Sequence, residues 1–447
     1  MGLTRSTLGR WSVLSGLAKS ERLVSHNFIV GAGTIAAGAF GIAFQSIASH
    51  QLQPADYGAV FAVLTLVTVI GVPAAAFTLL MARETSRGRA LGHQALSAAM
   101  LRNGNRTLLA AGSVIGSGLV LSSPLLSGTF DVPIELLIVA AFGIPFGLAL
   151  PLLLGEFQGE ERFVSYALLA SGQAGLKLAG AVVFGRLFGP VGIVAGISTA
   201  TVVVYILAYA ALRRKLSIRS NLEWLGPAAT YASIALPSSI ALGVLVSSDI
   251  LLVKHYFHSS SAGQYAAVAA IGRAVFWGAS GVALVLFPKV SYQRAQGRSG
   301  VQLLAASLTL VGLGGALSVG LLSVTAAGLL TIFAGPPYAQ AAGYLPWYTI
   351  GMMLLGGVAV LVAMEQARGK RMFLAVLLPL AALEPILLIA FHQTLIAVVQ
   401  VVDLVMGLVL LGLVATYWAQ ERMELARRTD SSKPIDPIGL PQLQANQ

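Results

Sequence analysis

Residues 247–268 read SSDILLVKHYFHSSSAGQYAAV. An apolar run carries Asp249 and ends in Lys254, a short polar turn follows, and a second apolar run soon reaches Arg273. Roughly 20 apolar residues are needed to cross the hydrocarbon core as a helix. The stretch therefore reads as the outer half of one span, a tight turn and the start of the next. Working outward from this hairpin gives twelve such windows, at about 27–49, 57–82, 107–126, 133–155, 164–185, 190–212, 229–256, 264–287, 302–326, 341–364, 372–391 and 394–418. Strands are excluded because polar and apolar positions do not alternate.

Composition agrees. Of 447 residues, 56% are hydrophobic and only 10% charged, where a soluble domain is about a quarter charged. The 49 glycines suit membrane helices that approach closely. Cysteine is absent and the six histidines show no ligand spacing, so neither a metal nor a cofactor is expected. The net charge of +11 is a topology signal and does not indicate a nucleic-acid partner. All of the 28 Lys and Arg except Lys177, Arg186, Lys254 and Arg273 fall on one side of the twelve-span plan. The positive-inside rule makes that side, and both termini, cytoplasmic.

The longest internal basic linker separates six spans from six. The expected organisation is a cytoplasmic leader (1–26), an N-terminal six-helix lobe (27–212), a linker (213–228), a C-terminal six-helix lobe (229–418) and a disordered cytoplasmic tail (419–447). Leader residues Trp11, Val13, Leu14 and Leu17 suit either a short helix on the inner leaflet or coil. A shift of 205 residues aligns SHQLQPADYGAVFAV (49–63) with KHYFHSSSAGQYAAV (254–268) and pairs Gly58 with Gly263. Each lobe has an even number of spans, so the repeat is parallel, with the substrate site expected between the lobes.

The chain resembles the polysaccharide and oligosaccharide-lipid flippases of the multidrug/oligosaccharidyl-lipid/polysaccharide exporter superfamily. The residues that carry the resemblance are LQPADYGAVFAV (52–63), ALPSS (235–239), the 247–268 stretch with Asp249, Gly263 and Tyr265, FPKVS (287–291) and RLFGPVGIVAGI (186–197). It implies two six-helix lobes in a V and a polar central cavity. It also implies alternating access that moves a lipid-linked glycan, on a polyprenyl diphosphate, to the outer leaflet of a bacterial cytoplasmic membrane. Membrane lipids and a polysaccharide polymerase or chain-length regulator would be its other partners.

A charge at mid-bilayer costs about 2.5–3.5 kcal/mol, so each one must be paired, hydrated or functional. Asp249 and Arg273 fall about 12–14 Å deep on adjacent helices, at 1.5 Å per residue. They form either a static pair or a diphosphate anchor on Arg273 that Asp249 orients. The anchor reading expects Arg273→Ala to abolish export at near-normal protein levels. Lys177, with Gln173 one turn before it, either lines the cavity or pairs with Glu384, Asp403 or backbone carbonyls. Glu384 and Asp403 lie at similar depth on neighbouring spans; they either share a proton or cation or are polar residues facing other helices. Lys254 and His255 suit the outer interface, and Arg83 is an inner anchor or a guard of the cytoplasmic mouth. Pro73, Pro237 and Gly243 soften helices that bend in gating, or simply kink them. An enzyme is not expected, since the external connections are short and nucleotide-binding motifs are missing. A cation-coupled multidrug exporter of the same fold and a peptidoglycan lipid-precursor flippase remain as alternatives.

Overall fold

The computed structural model describes residues 33–91, 94–218, 225–295 and 300–431. Among them every regular element is helical. In lipid only internally satisfied backbone is tolerated, and a helix meets that demand span by span. Helix α1 covers residues 33–51. It is followed by α2 (Pro54–Gly71), a 3-10 turn (Val72–Ala74), α3 (Ala75–Leu91), α4 (Gln94–Phe130) and α5 (Ile134–Gly159). Then come α6 (Phe163–Leu216), α7 (Leu225–Tyr256), α8 (Ser259–Ala295) and α9 (Val301–Ala334). A 3-10 segment (Pro336–Tyr344), α10 (Leu345–Arg368), α11 (Leu374–Ala390) and α12 (Leu395–Ser431) complete the chain.

Nine helices among the described residues are long and apolar enough to span a membrane. One of them, α6, is two spans. Gly189 has φ 58° and ψ −137°, and the chain reverses there. Gly180 on one arm then lies against Gly196 on the other, so close that a Cβ on Gly180 would sit 2.6 Å from the Cα of Gly196. With α1 and the shorter α11, the fold is the expected bundle of about twelve helices.

The helices overrun the apolar windows. The basic segment 83–106 is almost wholly helix, as the ends of α3 and α4. Similarly, α12 continues from the expected end at 418 to Ser431, because QERMELARR is made of good helix formers. The expected tail is thus helical in its first part. The rest of the tail, the leader and linker residues 219–224 lie outside the described residues.

Connections alternate between two faces, named here after a residue on each. On the Asp131 face lie the turns at 52–53, 131–133, Gly189, 257–258, 335–344 and 391–394; on the Lys215 face lie those at 160–162, 217–218 and 369–373. Gly58 of α2 and Gly263 of α8 meet directly near the Asp131 face; a Cβ on Gly58 would lie 2.9 Å from the Cα of Gly263. A Cβ on Gly263 would overlap the carbonyl of Pro54. Equivalent residues of a two-fold repeat can touch only at its axis. The contact of Gly58 with Gly263 is what a two-fold axis between α2 and α8 would give for the repeat expected from the sequence.

Candidate functional site: an inter-helix cleft and a buried charge cluster

Helix α8 presents one stripe of residues to α2. Gly263, Ala270, Ala274, Trp277 and Gly281 recur at i, i+7, i+11, i+14 and i+18, within about 60° of one another at 100° per residue. At Gly263 the stripe is in contact with α2. About three to five turns further toward the Lys215 face it is open: Ala274 is exposed, Trp277 is 55% exposed, and no atom stands near the Cβ positions of Gly278 or Gly281. On α2, Thr68, about 80° round the helix from Gly58, is exposed, while Val72 further along stays packed against Gly243 of α7. The two helices thus meet at the Asp131 face and separate into a cleft toward the Lys215 face.

Polar contacts between the two halves cluster at the closed end. The Tyr338 hydroxyl donates to the carbonyls of Ser49 (3.3 Å) and Leu52 (3.2 Å). Ser46 donates to the Phe333 carbonyl at 2.7 Å. His255 donates through Nδ1 to the Thr129 carbonyl, and Lys254 Nζ lies 3.5 Å from Asp131. Lys254 is therefore not a side chain stretched to the interface as the sequence suggests. Its side chain is 2% exposed and is drawn into a contact with the other half.

Above the cleft, Asp249 and Arg273 do meet. Nη2 of Arg273 donates to Oδ1 of Asp249 at 3.0 Å and also to the Val246 carbonyl. Oδ2 of Asp249 accepts from the hydroxyls of Tyr265 (3.1 Å) and Tyr348 (2.9 Å). Nε of Arg273 donates to the Tyr348 hydroxyl at 3.3 Å, and the guanidinium lies 5.5 Å from the ring centroid of Phe61 on α2. Both charged groups are buried. The guanidinium thus offers no bidentate edge to a ligand in this conformation. Tyr348 has no motif around it in the sequence; only the packing of α10 on α8 brings it to the carboxylate.

Glu384 of α11 adjoins this cluster. It is fully buried, and neither carboxyl oxygen has a hydrogen-bond partner among the described residues. Its polar neighbours are Ser248, facing it outside hydrogen-bonding geometry, and the Asp249–Arg273 pair. Asp403 of α12 lies elsewhere, packed against Gly351 of α10. The two acids are not brought together, because α11 turns Glu384 toward α7 and α8 while α12 turns Asp403 toward α10.

Lys177 is on the arm of α6 that faces the returning arm: Gln173 one turn before it donates to Thr201 at 3.3 Å, and Gly180 one turn after it lies on Gly196. Lys177 has no ion-pair partner among the described residues, neither Glu384 nor Asp403. Arg83 is exposed near the Lys215 end of α3, with its Nε 4.0 Å from the Glu84 carboxylate. Pro73 sits in the 3-10 break between α2 and α3. Gly243 of α7 packs against Val72 of that break, with 3.6 Å from its Cβ position to the Val72 Cβ. Pro237 lies inside a continuous α7, where Ser238 donates to the Ile234 carbonyl and receives Gln366 at 2.7 Å.

The Lys215 ends of the halves carry buried acids that were absent from the sequence reading. Glu156, fully buried, accepts from Lys215 and from Thr85 (2.6 Å), tying α3, α5 and α6 together. Arg368 joins Glu365 (3.4 Å) and Glu421 (3.0 Å), tying α10 to α12.

Comparison with solved structures places this architecture. An inward-facing multidrug resistance MATE family transporter of the MOP superfamily superposes with a TM-score of 0.70 at 15% identity, over 89% of this chain and 96% of that one. The lipid II flippase MurJ, in an inward closed conformation, gives 0.67 at 13% identity over 87% of each chain. An outward-facing multidrug resistance MATE family transporter gives 0.58 at 16% identity, over 91% of this chain and 96% of that one. The chain has the fold shared by these membrane transporters. No protein-family profile and no curated protein sequence matches it.

Proposed function

We propose that this protein is an alternating-access transporter that moves a lipid-linked glycan, carried on a polyprenyl diphosphate, from the inner to the outer leaflet of a bacterial cytoplasmic membrane. The observation that carries the reading is Lys177. An ammonium group well inside a span, with no carboxylate beside it among the described residues, calls for an anion from outside the chain. The diphosphate of a lipid-linked sugar is such an anion, and its own charge is costly to expose to hydrocarbon. Arg83 near the cleft mouth is positioned to meet it first.

The Lys215 face, with Arg213, Arg214 and Lys215 at the end of α6 and Lys370 and Arg371 after α10, is the cytoplasmic one by the positive-inside rule. A cleft open on that face and closed at Asp131 is inward-facing, in keeping with the higher TM-score to the inward-facing transporter than to the outward-facing one. Both termini are then cytoplasmic, and 27–212 and 229–418 are the two lobes that rock.

Deleting the gene tests this reading: a lipid-linked intermediate is expected to accumulate on the inner leaflet, and Lys177→Met should reproduce the accumulation. If none accumulates while sensitivity to dyes rises, the protein is a multidrug exporter instead. That second reading is favoured by Glu384, a buried acid with no hydrogen-bond partner among the described residues, which an exchanged proton or cation would satisfy. Accumulation of a cell-wall precursor would select the peptidoglycan lipid-precursor flippase.

A further inference from the structure

We infer that Thr129 and Asp131, in and after the last turn of α4, and Lys254, His255 and Ser259, around the α7–α8 turn, form a latch that holds the two halves together at the Asp131 face and must release before that face opens. The latch is continuous. Lys254 Nζ donates to the Ser259 hydroxyl at 3.1 Å, that hydroxyl donates to Asp131 Oδ2, and the ammonium itself lies 3.5 Å from the same oxygen. A few ångströms along, His255 donates to the Thr129 carbonyl, and its ring meets Phe130 edge-on at 6.2 Å. The Lys254–Ser259 bond lies within the last six spans; each of the other contacts joins the first six spans to them.

The two partners are unequal, and the inequality is what suits them to a device that opens. Asp131 is 79% exposed on its side chain, so it exchanges the contact for water at little cost; Lys254 is 2% exposed, so it has no solvent to turn to while the halves are closed. Asp131 also holds a positive φ of 48°, outside the glycines of the described chain shared only with Glu161. Aspartate enters that left-handed region more readily than most residues, but an L side chain stays there only when other contacts hold it. In the closed state the Ser259 and Lys254 bonds supply that hold. Opening removes them and frees the loop.

The charges facing the latch decide how it responds to pH. Asp131 faces Ser259, Lys254 and His258; Lys254 also faces Asp56, and His255 stacks near Tyr256, which lies on His392 at 3.8 Å. The Ser259 hydroxyl, and after it Lys254, keep the Asp131 carboxyl below the usual carboxylate range. When the latch opens, the carboxyl returns to an ordinary value near about 3.9. The stabilisation is therefore complete above about pH 4 and is lost as pH falls through the lower closed-state value. The latch thus holds across the physiological range and yields to a change of charge or to mechanical separation.

The test uses the full-length protein in lipid nanodiscs. Because the chain has no native cysteine, spin labels can be placed on introduced pairs without further change. One pair, Glu135→Cys with Gln393→Cys, reports the Asp131 face; a second, Arg106→Cys with Arg371→Cys, reports the Lys215 face. Asp131→Asn should raise the fraction of long distances at the first pair and short distances at the second by roughly two- to five-fold, the range of a partly exposed ion pair. Asp131→Ala, which also removes the Ser259 acceptor, should give on the order of ten-fold. Combining Asp131→Lys with Lys254→Asp should return both distributions toward the starting one, whereas either substitution alone should not. Unchanged distances in Asp131→Ala would overturn the latch. So would a lengthening at the Asp131 face with no matching closure at the Lys215 face, which marks a local tie between two loops, or a double charge exchange as open as the worse single variant. These readouts rest on the reading that the halves rock and not on the cargo, whose identity is read separately by the accumulating intermediate.

Discussion

The first hairpins of the two halves occupy equivalent places and are built from different chemistry. A shift of 205 residues carries the α1–α2 turn onto the α7–α8 turn and Gly58 onto Gly263, which touch. The same shift carries Phe44, Val60 and Thr68 onto Asp249, Tyr265 and Arg273. In the first hairpin these positions are apolar or weakly polar. In the second they hold a buried ion pair with two tyrosine hydroxyls on the carboxylate. The two halves thus share the glycine contact and the turn while differing in these side chains. What the charges add belongs to the second half alone, and buried ionic groups are a poor means of gaining stability.

The largest effect that sharpens this contrast comes from breaking the pair. Arg273→Ala strands a buried carboxylate and should cost about 3–5 kcal/mol in thermal or denaturant stability. Protein levels should fall along with export, contrary to the near-normal levels that the anchor reading expects. Importing the first half's residues, Asp249→Phe with Arg273→Thr, should restore most of the stability. If export also returns, the pair is structural; if stability returns without export, the charges act in transport.

Lys177 offers the reverse case, a charge whose removal should relieve the protein. Lys177→Met should retain or raise stability, by up to about 2.5–3.5 kcal/mol, while abolishing export. A marked loss of thermal stability instead would show that the ammonium has a structural partner.

The glycine contact at the axis is the feature the halves share, and overfilling it should weaken closure. Gly263→Ala presses a methyl on the Pro54 carbonyl, costing about 1–3 kcal/mol of strain. The expected result is a lower yield of cross-linking between Asp131→Cys and Ser259→Cys. An unaltered yield would mean that the two hairpins shift without parting.

The gentlest probe compares two levels of α8. Val268→Cys, fully buried, should resist a thiol reagent, while Trp277→Cys should react from the Lys215 side, and lipid-linked glycan should protect it. Equal labelling at both positions would contradict the cleft geometry.

Much of this was legible in the sequence. The twelve apolar windows are present because lipid imposes a minimum length and an internally bonded backbone on each span. The matched depth of Asp249 and Arg273 follows from residue counts on either side of one turn. The tightness of the α6 reversal is signalled by RLFGPVG (186–192), where glycine precedes proline. Helix ends were less legible: α3, α4 and α12 run into basic segments, since helix formers continue a helix past the hydrocarbon edge. The separation of Glu384 from Asp403, the approach of Tyr348 to Asp249 and the capture of Lys254 by Asp131 were not legible at all.

The sequence by itself determined that the chain crosses the membrane about twelve times as helices, the order in which those spans follow one another, and which charges are placed within them. These are local consequences of hydrophobicity and chain length, readable one segment at a time. Only the tertiary structure decided which helix faces meet, and so that Arg273 is paired with Asp249 while Lys177 has no ion-pair partner among the described residues, that α2 and α8 touch at their glycines and part below them, and that the Asp131 face is the closed one. Those outcomes depend on the rotation of each helix about its axis, which is fixed by packing against several neighbours at once and has no signature in any single stretch of the chain.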